Sequence, residues 1–202
     1  MGETSMFNFF LKGGHLMWPI LLCSIISITI ILERFYCFYR AKTKTPNIFP
    51  RVKALIKDGE SNEALKLCEK TPGPIAHILA VGIHIRNRSP EEKEKLISKA
   101  GSKIIRHLDK NLRVLAIISN VATLLGLLGT VTGMIRVFMK IQELGGRVDA
   151  VVLAGGIWEA LITTAAGLFV AIPTLVAYHY FEGRVEDISS QMKDAASELL
   201  EI

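Results

Sequence analysis

The stretch Val151–Phe181, VVLAGGIWEALITTAAGLFVAIPTLVAYHYF, has 31 residues and a single charged side chain, that of Glu159. A helix of this length measures roughly 46 Å at about 1.5 Å per residue, whereas the hydrocarbon core of a bilayer is roughly 30 Å thick. The stretch therefore predicts a membrane-spanning helix of which one end protrudes, or a helix that begins only after a break at Gly155-Gly156.

Two further stretches without a charge predict two more membrane helices. Leu16–Leu32 has 17 residues and Val114–Ile135 has 22, close to the roughly 20 residues that a helix needs to cross a bilayer. A cleaved signal peptide is the alternative for the first stretch. Because only Lys12 precedes it, several basic residues follow it and no small-residue cleavage site is present, we expect a retained helix.

The average composition hides this arrangement. Hydrophobic residues make up 50% of the chain, charged residues 21%, and the mean hydropathy is +0.36. This apolar fraction is ordinary for a soluble domain. The charges, however, are concentrated between the three apolar stretches, which excludes an ordinary soluble domain and a disordered chain.

The distribution of Lys and Arg predicts the orientation in the membrane. Residues 33–113 hold 18 of the 24 basic residues against nine acidic ones, a balance of 18 − 9 = +9, whereas residues 1–15 hold one basic residue and residues 136–150 hold three. Basic residues are enriched in cytoplasmic loops, so we expect this connection to be cytoplasmic. The net charge of +5 thus reports orientation, and no basic face with interleaved aromatics indicates nucleic-acid binding.

The expected fold is an all-α integral membrane protein with three transmembrane helices, the N-terminus outside and the C-terminus inside. Helices two and three are expected to extend into a helical cytoplasmic portion. The predicted segments are an external N-terminal segment (1–15), transmembrane helix 1 (16–32), a cytoplasmic helical region (33–113), transmembrane helix 2 (114–135), a short periplasmic connection (136–150), transmembrane helix 3 (151–181) and a cytoplasmic amphipathic tail (182–202).

The cytoplasmic region is predicted to consist of several helices separated by turns. A helix start at Ser89-Pro90 has an N-cap residue and a proline at the first helical position, and this helix could run unbroken into the second membrane stretch. In the tail, Ile188 and Met192 recur at helical spacing with Ala195 and Leu199, so the tail is expected to continue the third helix and pack against the helix from Pro90. Three shorter helices are expected upstream, at Phe49–Lys57, Glu63–Lys70 and Ile75–Arg86.

Glu159 is the leading candidate for function. A carboxylate at mid-membrane costs about 2.5–3.5 kcal/mol on insertion scales, and such residues commonly serve ion or proton pathways. Thr163 lies one turn away, about 40° around an ideal helix, and Thr174 falls within about 60° of the same line. This polar stripe, interrupted by apolar residues, favours a narrow proton path over a wide channel. The alternative is that Glu159 lies at the outer boundary of the membrane and is simply solvated.

The second stretch carries a stripe of small and hydroxyl residues. Ser119, Thr123, Gly126, Thr130 and Gly133 fall within about an 80° arc, and Gly129-x-x-x-Gly133 has the spacing at which membrane helices approach closely. Helix packing alone is the better explanation on composition. The functional interpretation adds that Thr130 and Glu159 contribute polar groups to one lining.

Two motifs resemble the signatures of a known family. Leu125–Ile135 reads LGLLGTVTGMI, and Gly156–Leu168 reads GIWEALITTAAGL and is followed by Ala171-Ile172-Pro173. They resemble the second-helix and third-helix signatures of the MotA/TolQ/ExbB proton-channel family, in the right order and topology across nearly the whole chain. The chain is most similar to ExbB and TolQ, because MotA-type subunits have four membrane helices.

The resemblance implies a set of partners and a location. It implies a homo-pentamer in the bacterial inner membrane, multi-pass in the lipid bilayer, surrounding the helices of an ExbD- or TolR-like single-helix subunit that carries a membrane aspartate. Proton-motive force would then drive work on a TonB- or TolA-like effector for outer-membrane transport. A TolQ-like role in envelope maintenance or gliding, and a non-conducting membrane scaffold, remain as alternatives.

The resemblance also implies site residues. The family's lining residues map onto Thr130, Glu159 and Thr164, to which the helical geometry adds Thr163. Trp158 departs from the small residue expected at its position, which bears on how closely a neighbour approaches beside Glu159. The positions assigned to helix packing are Gly126, Gly129, Gly133, Gly167 and Pro173.

The remaining reactive residues do not indicate catalysis. Cys23, Cys37 and Cys68 form no C-x-x-C motif and are expected to be free thiols. His77 and His84 are two turns apart, roughly 10 Å, too far to chelate one ion. The sequence has no phosphate-binding glycine loop and no nucleophile elbow. We therefore expect no enzyme activity, no cofactor and no metal.

Overall fold

A computed structural model describes residues 14–41, 48–144 and 150–200 of the chain. Within these ranges the chain forms seven α-helices and no strand. They are α1 (Met17–Ala41), α2 (Ile48–Lys57), α3 (Ser61–Lys70), α4 (Pro74–His84), α5 (Pro90–Asp109), α6 (Leu112–Glu143) and α7 (Ala150–Leu200). Most of the predicted external N-terminal segment, part of the connection 136–150 and the last two residues of the tail lie outside the described residues.

Three helical segments are long and apolar enough to cross a membrane. They are Met17–Tyr39, Pro90–Glu143 and Leu153–Leu199, judged by length and composition. The prediction of an all-α protein with three candidate membrane helices is therefore confirmed. The orientation and the segment boundaries stay predictions.

The chain divides into two compact units. The described residues of Met1–Ile31 and Asn111–His179 form the first, which contains most of the apolar length of the three spans. Those of Leu32–Lys110 and Tyr180–Ile202 form the second, which contains α2 to α5. The three short helices of the second unit begin and end within two residues of their predicted bounds.

The prediction that the helix from Pro90 runs unbroken into the second membrane stretch is wrong. Its start is as predicted, since the Ser89 hydroxyl accepts a hydrogen bond from the Glu92 N–H (3.3 Å). The helix ends at Asp109, however, and Asn111 has φ +66° before α6 begins. Asparagine is one of the few residues that adopt this left-handed conformation readily, and one such residue ends a helix.

Arg34 stabilises the end of α5 that this break creates. Its side chain is 2% exposed, and Nη1 donates to the carbonyl oxygens of His107 (3.1 Å) and Leu108 (3.2 Å). Nη2 donates to Glu33 Oε1 at 2.6 Å. The last carbonyl groups of a helix lack partners within the helix and attract positive charge. Arg34 therefore supplies the hydrogen bonds that an uninterrupted helix would have made internally.

The third stretch has no break at Gly155-Gly156. A single helix, α7, continues from Ala150 to Leu200 with Pro173 inside it. The alternative in which the helix extends beyond the apolar stretch is thus the correct one, and the tail does continue the third helix. Pro173 removes one backbone donor, yet α7 passes through it without ending.

The tail completes the apolar core of the second unit. Met192 and Ala196 lie in one cluster with Ile78 of α4 and Ile97 of α5, so the predicted packing of the tail against the helix from Pro90 is confirmed. Another cluster brings Ala195 together with buried residues of α2, α3 and α4, namely Ile48, Val52, Ile56, Ala64, Cys68, Ala76 and Leu79. Residues far apart in sequence therefore share one core.

Candidate functional site

Within the first unit, α6 and α7 pack against each other along a line of small residues. Gly133 lies against Ala160, and Gly129 lies against Thr163. Gly126 lies against Thr164 and Gly167, where a Cβ added to Gly126 would be 3.2 Å from the Thr164 backbone. Because the residue numbers rise on one helix as they fall on the other, the two helices are antiparallel. Four of the five residues assigned to helix packing thus lie in this contact.

Two hydroxyl groups bond across the same contact. Thr164 Oγ1 donates to the Gly126 carbonyl oxygen (2.7 Å), and Ser119 Oγ donates to the Ala171 carbonyl oxygen (3.1 Å). Ser119 belongs to the stripe of small and hydroxyl residues predicted from the sequence, whereas Thr164 was named by the family resemblance. Small residues allow the backbones to approach, and hydroxyl groups then bond to the carbonyl oxygens so exposed.

Thr163 is buried in the contact. Its side chain is 2% exposed, its methyl group lies against Gly129, and Oγ1 donates to the Glu159 carbonyl oxygen (2.9 Å). Thr163 and Thr164 therefore both occupy the boundary between α6 and α7, although they lie on neighbouring positions of one helix.

Thr130 lies at the flank of this contact. Its hydroxyl donates to the Leu127 carbonyl oxygen of its own helix at 2.7 Å, and its side chain is half-buried. The five residues that the sequence placed in one arc of α6 are thus of two kinds. Thr123 and Thr130 lie at the side of the contact, whereas Ser119, Gly126 and Gly133 face α7. The facing positions follow alternating steps of three and four residues, namely Ser119, Ala122, Gly126, Gly129 and Gly133.

Pro173 lies on an exposed part of α7. The next residue, Thr174, is 1% exposed, and its hydroxyl donates to the Val170 carbonyl oxygen (2.7 Å). Pro173 is therefore the packing residue that does not lie in the contact between α6 and α7. Its ring instead prevents one backbone hydrogen bond within α7.

Glu159 forms an ion pair with Arg136 across α6 and α7. Arg136 Nη1 lies 2.6 Å from Glu159 Oε1, and the side chains are 29% exposed for Glu159 and 53% for Arg136. The neighbouring contact of Gly133 with Ala160 sets the register that brings the two charges together. The carboxylate is therefore held by a cation, which the sequence analysis did not predict.

The register of the antiparallel helices α6 and α7 would have identified Arg136 as the partner of Glu159. Facing residues have numbers that sum to nearly the same value, as Gly133 with Ala160 and Gly126 with Gly167 show. Arg136 is the first charge after the second apolar stretch, and its partner under this rule is Glu159 or a neighbour of it. The sequence alone did not provide the register.

The turn before α1 covers the ion pair. Gly14 has φ +71°, and a Cβ added to it would lie 2.6 Å from Glu159 Oε1 and 3.5 Å from Arg136 Nη2. The turn is closed by the Met17 N–H, which donates to the Gly14 carbonyl oxygen (3.2 Å). Glycine suits this position in two ways, since L side chains rarely adopt this φ and a Cβ would displace the Glu159 carboxylate.

A cavity of about 200 Å³ opens beside the pair. Its wall includes Arg136, Lys140 and Glu159, with Gly133 and Gly156 supplying backbone. Across the described part of the chain, no three His, Cys, Asp or Glu side chains are grouped as metal ligands would be. The chemistry of this site is therefore that of one carboxylate and its cationic partner.

Comparison with known proteins gives a consistent result. The model of the MotA/TolQ/ExbB proton channel family matches residues 70–194. A putative biopolymer transport protein ExbB-like 1 of Synechocystis is 35% identical over 176 residues, covering 84% of this chain and 67% of the relative. An ExbB homolog of Methanothermobacter thermautotrophicus is 30% identical, covering 88% of this chain and 63% of the relative.

A biopolymer transport protein ExbB of Neisseria meningitidis is 28% identical over 194 residues, covering 89% of this chain and 86% of the relative. This chain therefore spans less than two thirds of the length of the Methanothermobacter relative but most of the length of the Neisseria one. These descriptions name a channel family and transport proteins rather than enzymes.

Proposed function

Because the chain belongs to the MotA/TolQ/ExbB proton channel family, we propose that it is the channel subunit of an inner-membrane motor. This motor converts proton-motive force into work on a TonB-like effector for outer-membrane transport. The observation that carries the proposal is the placement of Glu159, an ionisable group on a membrane-length helix that is packed through glycine against a second such helix.

In this proposal the polar residues have different tasks. Glu159 controls the access of protons to the path, because an ionisable group within an apolar span commonly serves proton transfer. Thr130 offers its oxygen at the flank of the α6–α7 contact, where a partner helix has access. Thr163 and Thr164 hold the two helices together, and the hydroxyl oxygen of Thr164 can still accept a bond while its proton is donated to Gly126.

The proposed assembly is a homo-pentamer around an ExbD- or TolR-like single-helix subunit with a membrane aspartate, acting on a TonB- or TolA-like effector. The match to a proton channel family and the relatives named ExbB support it. Such a partner supplies the membrane aspartate that this chain lacks, since Leu16–Leu32, Val114–Ile135 and Val151–Phe181 contain no aspartate and Glu159 is their only charged residue.

The proposed orientation has the N-terminus outside and the C-terminus inside the inner membrane. It is supported by the balance of 18 − 9 = +9 in residues 33–113. Under this orientation the second unit is cytoplasmic and the Arg136–Glu159 pair lies towards the periplasmic side. Protons driven by the membrane potential then reach the pair before they reach Thr130.

The test is proton flux through the complete complex. The chain is purified with its single-helix partner, reconstituted into liposomes, and exposed to a membrane potential while a trapped dye reports internal pH. We expect flux in the wild type and its loss in Glu159→Gln, which has the same shape without the charge. Glu143→Gln is the control, because Glu143 is an exposed acid that pairs with Lys140.

Two outcomes would contradict the proposal in different ways. An intact wild-type complex without proton flux would favour the scaffold, in which the glycine contact only packs. Full proton flux in Glu159→Gln would be compatible with a proton channel but would show that Glu159 does not control the access of protons. In cells, loss of nutrient uptake on deletion supports the ExbB-like role, whereas leakage of the outer membrane supports the TolQ-like one.

A further inference from the structure

Arg136 pairs with Glu159, and the proposed proton path does not explain what this arginine does. We propose that Arg136 determines the specificity of the channel for protons over alkali cations, by occupying the carboxylate that such a cation would otherwise bind. The inference rests on the proposed function, since it concerns the ion that the proposed channel conducts.

The geometry of the pair leaves little for a metal cation to bind. Arg136 Nη1 lies 2.6 Å from Glu159 Oε1, a short charge-assisted hydrogen bond that uses the negative charge of the carboxylate. A sodium ion at the same oxygen would lie beside the permanently charged guanidinium and be repelled by it. Arg136 thus removes Oε1 from the set of possible cation ligands.

The turn at Gly14 restricts the same oxygen from another side. The position of a Cβ on Gly14 is 2.6 Å from Glu159 Oε1, so backbone already lies against this atom. A permeating metal ion needs several oxygen atoms around it to replace its hydration shell. A proton needs only one hydrogen-bonded path, which a single water beside the second carboxylate oxygen can provide. Crowding therefore excludes the metal ion and not the proton.

The charges of the cavity oppose the entry of cations in general. Two cationic side chains, Arg136 and Lys140, line it against the single carboxylate of Glu159. Lys140 also bonds to Glu143 (3.1 Å), an exposed acid that is absent from the cavity wall. A wall with more positive than negative charge lowers the local concentration of metal cations and of hydronium alike, so the discrimination between them rests on the occupied carboxylate.

The experiment compares sodium and proton flux in the same reconstituted complex. Internal pH and entry of radioactive sodium are measured for the wild type, Arg136→Met and Arg136→Lys. We expect Arg136→Met to raise the ratio of sodium to proton permeability at least tenfold. Arg136→Lys, which keeps the charge, should stay within about threefold of the wild type. Arg184→Met is the control, because Arg184 pairs with Asp187 on α7 away from this cavity.

A second variant keeps the test decisive if Arg136→Met does not assemble. Gly14→Ala forces Glu159 Oε1 away from its present position, so it should raise the same ratio while leaving Arg136 in place. If the variant that assembles retains proton flux and its ratio of sodium to proton permeability is unchanged, the inference about Arg136 is wrong and the proposed function still stands. Absence of proton flux in the wild type would instead overturn the proposed function.

Discussion

Gly126 and Gly167 bring the backbones of α6 and α7 into direct contact. A Cβ added to Gly167 would lie 2.9 Å from Gly126 Cα and 2.6 Å from the Ala122 carbonyl oxygen. Both obstacles are backbone atoms, so no side-chain rotation can relieve the clash. Gly167 therefore has no room for a side chain, whereas a Cβ on Gly126 would make a tight contact, 3.2 Å, with the Thr164 backbone.

Gly167→Ala is expected to destabilise the protein by about 1–3 kcal/mol, the usual cost of forcing extra volume into a packed contact. The measurement is the thermal stability of the purified complex in detergent. Gly155→Ala is the matched control, because a Cβ at Gly155 meets nothing within 4 Å and alanine favours a helix over glycine by about 1 kcal/mol. Equal melting temperatures for the two variants would show that the backbone contact is not required.

Thr130→Val at normal expression is expected to abolish proton-driven function. Valine keeps the shape of threonine but removes the only oxygen that this side chain offers at the flank of the α6–α7 contact. Thr132→Val is the control, since the Thr132 hydroxyl also donates to its own helix, to the Leu128 carbonyl oxygen at 2.9 Å. The measurement is effector-dependent uptake in cells that express Thr130→Val or Thr132→Val. Full activity of Thr130→Val would show that Thr130 does not have the proposed role.

Arg34→Met is expected to loosen the end of α5. The variant removes two hydrogen bonds from a charged donor, each worth about 1.5–3 kcal/mol, and leaves the His107 and Leu108 carbonyl oxygens without them. Amide hydrogen exchange should accelerate at residues 107–112. For Arg88→Met we expect less than about 0.5 kcal/mol, because Arg88 is 64% exposed and its ion pair with Glu92 spans 3.9 Å. Similar exchange in both variants would contradict a capping role for Arg34.

The folded protein is expected to lose stability at alkaline pH because the Cys68 thiol is buried. Burial, with a smaller contribution from Glu69, raises the pKa of the Cys68 thiol from 9.0 to about 11. Between these two values the unfolded chain releases the proton while the folded protein keeps it, so ionisation favours unfolding. The contribution of the protonated Cys68 thiol to the unfolding free energy is therefore fully present below pH 9 and is lost as the pH rises towards 11.

The measurement for Cys68 is the difference in unfolding free energy between the wild type and Cys68→Ala, at pH 8 and pH 10.5. The wild type should lose more stability than the variant over this interval, because other titrating groups are common to both. A difference that does not change with pH would show that the folded protein exposes this thiol.

The sequence was sufficient where one residue or one run of residues decides the structure. Three apolar stretches fixed the candidate spans, and Ser89 with Pro90 fixed the start of α5. The glycine spacing in LGLLGTVTGMI also indicated close packing of α6, because the absence of a side chain is visible in the sequence itself.

The sequence was insufficient where two distant residues decide the structure together. The end of α5 depends on Arg34, which lies 73 residues before His107, and no proline marks the break. The partner of Glu159 depends on the register of two helices, which a stripe of small residues does not determine. The division of the α6 stripe likewise needs the position of α7, since Thr130 and Gly133 fall in one arc of an ideal helix.

The line of small residues between α6 and α7 has a consequence for motion. Sliding one helix along the other would break the two bonds that cross the contact, from Thr164 to the Gly126 carbonyl oxygen and from Ser119 to the Ala171 carbonyl oxygen. Within the first unit the two helices are therefore locked in one register and move as a single part. In the proposed motor, a cycle driven by protons would therefore shift this part against its surroundings, along the flank where Thr130 lies.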